Sequence, residues 1–314
     1  MKRSLSLLFL VASFIMMITL EGCNHKDLLA DDSGTSQMSI LYDWSRATGN
    51  PDPAHVDLYL YPGQGGAPNH QQTPKTGVTI VLPADTYTGF AFATDSGSLQ
   101  INDTGDKDAC TITTKDEDIL APLGEHSGSV PRPAGTENER VAMTPDPAWA
   151  GHTDGFTVPG TDEQLTHTIY MEDLYVTYHV TVSDVTGIEA LKAVSGALTG
   201  LAGGIYPATG KLTEEKVTMP FAVDKYPQES SLKSQFLAFG DCPSAPGTHI
   251  LALYAFLENG EKYMFTFDVT DQVHAQSGQK DIYINVSGID LKDPLDPFGA
   301  SVDSWIGTEA IIIM

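Results

Sequence analysis

The stretch Leu174-Tyr-Val-Thr-Tyr-His-Val-Thr-Val-Ser183 decides the fold. Along an extended chain Leu174, Val176, Tyr178, Val180 and Val182 face one way, and Thr177, His179, Thr181 and Ser183 face the other. Alternation with a period of two marks a strand buried on one face. The apolar set is mostly β-branched or aromatic, the types that pack well on a pleated surface.

The pattern repeats outward in both directions. Val56, Leu58 and Leu60 alternate with Asp57, Tyr59 and Tyr61; Val78, Ile80 and Leu82 run into Pro83; Ile282, Ile284 and Val286 form a further strand. Ile250–Leu257 and Lys262–Val269 flank Glu258-Asn259-Gly260-Glu261, where Asn-Gly suits positive φ at both turn positions and predicts a hairpin closed by a type I′ turn. One helix is expected, over Gly187–Leu201, because Ile188, Leu191, Val194, Leu198 and Leu201 fall near a 3.6-residue period and Gly200, Gly203 and Gly204 follow to end it. Glu125–Gly160 carries Pro131, Pro133, Pro145, Pro147 and Pro159 and little alternation, so it reads as a long loop holding a domain boundary. The expected fold class is all-β: two sandwiches in series, residues 38–162 and 163–314, with one short helix in the second.

The N-terminus is of another kind. Lys2 and Arg3 precede the apolar run Leu5–Leu20, and Leu20-Glu21-Gly22-Cys23 follows. A charged start, a short apolar core and a cleavage site make a secretory signal, residues 1–22. The run is short for a bilayer span. A cysteine directly after a small residue resembles a bacterial lipoprotein box, which implies cleavage after Gly22 and acylation of Cys23. Membrane attachment is then through lipid. Asn24–Gln37 is polar and rich in turn-formers, so residues 23–37 read as a flexible tether. Asp27, Asp31 and Asp32 close behind the lipid resemble a surface-export signal, or serve only to solvate the tether.

The formal charge of -24 repels phosphates and argues against a nucleic-acid partner. Besides Cys23, only Cys110 and Cys242 are present, best read as two unpaired buried thiols. No catalytic constellation emerges: there is no His-Glu-x-x-His, Gly-x-Ser-x-Gly or Cys-x-x-Cys. Gly204-Ile-Tyr-Pro-Ala-Thr-Gly210-Lys211 has five residues between its glycines and Leu212 where magnesium needs a hydroxyl, so it is not a phosphate loop. His167 and His179 share one expected strand face but stand about 40 Å apart along it, too far for one metal. Asp103, Asp106 and Asp108 lack the Gly and distal Glu of a calcium loop. The expectation is therefore no catalytic residue, no cofactor and no metal. Trp44, Tyr59, Tyr61, Tyr87, Tyr170 and Tyr175 could stack on sugars, but strands favour aromatics in any case and packing is the better account.

Cys23-Asn-His-Lys-Asp-Leu, Ile40-Leu-Tyr-Asp-Trp44, Val56-Asp-Leu-Tyr-Leu-Tyr-Pro62, Leu82-Pro-Ala-Asp-Thr-Tyr87 and Phe267-Asp-Val-Thr-Asp-Gln-Val273 resemble the fimbrillin-like lipoproteins of Gram-negative anaerobes, the FimB-like fimbrial anchor and minor-subunit group. The resemblance implies two transthyretin-like sandwiches, an outer-membrane lipoprotein at the cell surface, and a structural role in fimbria assembly or adhesion without catalysis. A surface glycan-binding lipoprotein is the alternative. The end of the chain, Trp305-Ile-Gly-Thr-Glu-Ala-Ile-Ile-Ile-Met314, reads as a final strand, either internal to the second sandwich or donated to a fimbrial subunit by strand addition.

Overall fold

A computed structural model describes residues 34–95, 97–124, 130–161, 163–244 and 247–291, and the backbone of 305–309. The signal segment, Cys23, the tether before Gly34 and Ile311–Ile313 lie outside the described residues.

The first sheet has seven strands in the order β3-β2-β5-β9-β10-β1-β4. These are β1 (Thr35–Arg46), β2 (Val56–Pro62), β3 (Asn69–Thr73), β4 (Gly77–Pro83), β5 (Asp85–Thr94), β9 (Ala148–Val158) and β10 (Gln164–Asp173). β9 and β10 pair only at Ala150↔Glu172 and Trp149↔Asp173, so the sheet folds over there. Its two halves close on one core of Met38, Ile40, Leu58, Leu60, Ile80, Leu82, Ile169 and Met171. β2 is buried on both faces: Leu58 and Leu60 enter that core, while Tyr59 and Tyr61 join Phe90, Cys110 and Ile112 in a second.

The second half stacks a six-stranded sheet, β21-β19-β18-β12-β15-β8, on a four-stranded one, β16-β17-β11-β20. The larger sheet comprises β8 (Arg140–Val141), β12 (Leu191–Ala202), β15 (Lys216–Ala222), β18 (Ile250–Leu257), β19 (Lys262–Asp268) and β21 (Trp305–Glu309). The smaller has β11 (Val176–Ser183), β16 (Asp224–Tyr226), β17 (Ser231–Ala238) and β20 (Asp281–Ser287). Tyr178, Val180 and Val182 of β11 point into the core between them, as their alternation requires. The halves are stitched together twice. β6 (Leu99–Asn102) and β7 (Thr111–Thr114) form a small sheet with β13 (Gly204–Tyr206) and β14 (Lys211–Leu212), and β8 runs parallel to β15 at Val217↔Arg140.

Five expectations change. Gly187–Leu201 is a short 3₁₀ turn, Ile188–Ala190, leading into β12, and not a helix. β12 lies between β15 and β18 and is buried on both faces, so its apolar residues lose the two-residue period and mimic a helical one. Its register slips between Leu198 and Leu201, where Gly200 has φ +76°, a bulge that only glycine enters without strain. The one α-helix among the described residues is α1, Thr270–His274.

The proline-rich segment is not one loop. It contains β9, a central strand of the first sheet, and residues 130–141 strap the outer face of the large sheet. There Tyr254 donates to Pro131 O at 3.0 Å, Arg132 donates to Thr218 Oγ1 at 2.7 Å, and Thr218 donates to Glu139 Oε2 at 2.9 Å. β10, expected in the second sandwich, runs parallel to β1 from Gln37↔Gln164 onward and so belongs to the first sheet. The same register draws Thr35–Gln37 out of the expected tether into β1. Periodicity identifies a strand but does not say which sheet receives it. The 250–268 hairpin forms as expected, but only Gly260 has positive φ (+91°); Gly260 N–H bonds Leu257 O, making an ordinary turn followed by a glycine bulge instead of type I′.

Candidate interaction site

The residues named from sequence as an aromatic platform are dispersed. Tyr59, Tyr61 and Tyr87 are buried. Trp44 is half-buried, edge-on to Trp149, with its Nε1 donating to Lys75 O at 2.9 Å. Tyr175 is half-buried as well, and burial raises the pKa of its hydroxyl. Only Tyr170 of the set is exposed, at 44%. His167 and His179 lie on separate strands, β10 and β11, since β10 ends at Asp173 and β11 begins at Val176. His167 packs on Phe156; His179 stacks on Tyr283 and bonds Asp281 at 2.9 Å. Within the Asp103–Asp108 loop, Asp106 N–H bonds Asp103 O and Cys110 N–H bonds Asp106 O. Cys110 and Cys242 are both buried and unpaired.

Where the two halves meet there is a groove of about 410 Å³. Arg46, Tyr170, Glu172 and Asp173 line it from the first half, and Asp241 and Lys280 from the second. Among the described residues Arg46 and Glu172 form its ion pair, while Asp173 and Lys280 bond backbone groups. Arg46 bonds Glu172 at 2.8 Å and lies over the Tyr170 ring, 4.4 Å from its centroid. The Asp173 carboxylate accepts from Thr48 N–H at 3.1 Å, and Lys280 Nζ donates to Asp173 O at 3.0 Å across the junction.

The sheet edges differ in how they are closed. On β20 side chains from α1 and the turn after it replace a neighbouring strand. Gln272 donates to Asn285 O and accepts from Asn285 N–H at 3.0 and 2.8 Å; Gln276 does the same with Tyr283 at 2.9 Å in each direction. Two carboxamides thus satisfy an edge that would otherwise offer its backbone to another chain. In the large sheet β21 pairs in parallel with β19 from Lys262↔Trp305 to Thr266↔Glu309 and is outermost among the described strands.

One set of possible metal ligands comes together that sequence spacing did not suggest. Asp241, His249 and His274 each place one ligand atom within 4.8 Å of the others. Asp241 and His249 lie in the connection between β17 and β18, and His274 ends α1, two strands further along the chain.

A family model described as a domain of unknown function, DUF5119, matches residues 22–222, and the chain belongs to that family. No curated protein matches it. Among solved structures, a candidate adhesin from Bacteroides ovatus ATCC 8483 is 20% identical, with a TM-score of 0.67 over 88% of this chain and 99% of that one. The fimbrial anchor protein Mfa2 from Porphyromonas gingivalis is 12% identical, with a TM-score of 0.52 over 81% of this chain and 90% of that one. A candidate polysaccharide-binding protein (DUF1812) from Bacteroides thetaiotaomicron is 13% identical, at 0.52 over 81% and 91%. At these identities the likeness is one of fold.

Proposed function

We propose that this DUF5119 chain is a lipid-anchored protein of the outer-membrane surface that serves as a fimbrial anchor or minor subunit. In this reading an acylated Cys23 holds it to the membrane, the two halves act as a rigid spacer, and fimbrial subunits join by strand addition. No catalysis is assigned. The observation that carries the reading is a contrast between edges: β20 is sealed by Gln272 and Gln276, while β21 is outermost among the described strands of the large sheet, which supports addition of a further strand there. The shared fold with a protein named as a fimbrial anchor supports it. The glycan alternative has less support, because Arg46 already covers the one exposed ring of the aromatic set, Tyr170.

Two measurements test it in the native host. Labelled palmitate should enter the wild type and not Cys23→Ala. Affinity capture of the full chain should recover fimbrial subunits, and deletion of residues 305–314 should reduce that recovery. Equal labelling of both proteins removes the anchor; capture free of fimbrial subunits removes the assembly role. Binding to a glycan array that is lost in Tyr170→Ala would favour the alternative.

A further inference from the structure

Asp241, His249 and His274 are organised by the bulge at Gly200. Asp241 bridges to Leu201, and Cys242 N–H bonds Gly200 O at 3.0 Å. His249 is held at three points: its N–H donates to Thr270 Oγ1 at 2.9 Å, its carbonyl accepts from Val269 N–H at 2.9 Å, and its ring Nδ1 lies 3.0 Å from Thr199 O. The carbonyl can only accept, so Nδ1 carries the proton and Nε2 presents a lone pair. His249 is 0% exposed, and its Nε2 is buried without a hydrogen-bond partner among the described residues. A buried lone pair needs either a donor or a cation. The His274 ring stands edge-on to it, at 87° with centroids 5.2 Å apart, and Val273 beside it is buried and anchors the helix.

We infer that these three residues form a site for one divalent transition-metal cation, best matched by Zn²⁺, bound through two imidazole nitrogens and one carboxylate oxygen. Two nitrogens and one oxygen suit zinc, with water as the fourth ligand; calcium and magnesium prefer oxygen alone. An imidazole whose other nitrogen donates to a backbone carbonyl has the tautomer and orientation typical of a metal ligand. His274 is exposed and Asp241 partly so, which gives the ion an entry path. The ion would tie the segment after β17, the start of β18 and the end of α1 to one another. Gln272 of α1 and Gln276 in the turn just after it close β20, so the metal would stiffen the edge seal.

The test uses the full chain in detergent, stripped with a chelator and titrated with Zn²⁺ by calorimetry and by thermal melting. The expected result is one equivalent bound at micromolar or better affinity, with a raised Tm that Ca²⁺ and Mg²⁺ do not reproduce. His274→Ala and Asp241→Asn, both at solvent-accessible positions, should each weaken binding at least about tenfold and abolish the zinc-dependent rise. Their melting in chelator should match the wild type, which separates loss of ligand from loss of fold. Absence of zinc binding would overturn the inference and return His249 Nε2 to an ordinary hydrogen bond. Binding left intact in both variants would also overturn it, placing the ion on other members of the nine histidines.

Discussion

Gln276 pairs with Tyr283 as a strand would. Its carboxamide donates to the Tyr283 carbonyl and accepts from the Tyr283 N–H, both at 2.9 Å, though the two residues lie on a helical turn and a strand. Gln272 repeats the pairing with Asn285 one turn earlier. Replacing both by Ala exposes four backbone groups of β20. Each lost bond should cost about 0.5–1.5 kcal/mol. The freed edge should also make the protein self-associate as concentration rises. Urea melts and sedimentation velocity of Gln272→Ala/Gln276→Ala read the two effects. A variant as stable and as monodisperse as the wild type would show that the pairing seals nothing.

The close approach of β12 and β15 gives a second prediction. A Cβ on Gly196 would sit 2.2 Å from the Phe221 ring, which is itself stacked on Phe236 with centroids 4.2 Å apart. Gly196→Ala should therefore destabilise by about 1–3 kcal/mol through overpacking. Phe221→Leu in the same chain should recover part of that loss, since the removed ring edge makes room. Equal destabilisation in the single and double variants would place the cost elsewhere.

Much of this fold is legible as alternation, and β12 and β9 escape it where no polar face sets the period. β11 and β20 read correctly because one face is buried and the other carries Thr, His, Asp or Asn. β12 is buried on both faces, so its sequence holds no polar face to set the period. β9 has a buried run, Ala148–Gly151, set among prolines and glycines that mark loops elsewhere. The interaction features were still less visible. Asp241, His249 and His274 have no motif spacing because the β17–β18 connection delivers two of them and the end of α1, beyond β18 and β19, delivers the third. Gln272 and Gln276 have the i, i+4 spacing of one helical face, but what they cap is a strand that follows them in the chain.

The thiols give a count that bears on the N-terminus. Cys110 is fully buried, and burial is the main reason its pKa is pushed up to about 11; a hydrogen bond with Tyr61 works the other way. At pH 7 roughly one such thiol in ten thousand is ionised. Native protein should react slowly with a thiol reagent at both Cys110 and Cys242, since both are buried. In guanidinium, protein from the native host should titrate two thiols. A third equivalent would mean that Cys23 is unmodified, and rapid native reaction would contradict the burial.

Acid should weaken the first sheet through His167. Its ring packs against Phe156 with centroids 4.6 Å apart, and burial lowers its pKa from the usual 6.5. The unfolded chain therefore takes up this proton at a higher pH than the folded one. Between the two values the unfolded state binds more protons, so stability falls as pH falls. The contribution is complete above about pH 6.5 and is lost as the pH drops through the lowered folded value. His167→Gln removes the titration and keeps a polar side chain. Melting temperatures of both proteins at pH 7.5 and pH 5 isolate the effect from the other histidines. The wild type should lose more than the variant over that interval. Parallel losses would show that the Phe156 contact leaves His167 as readily protonated in the folded chain as in the unfolded one.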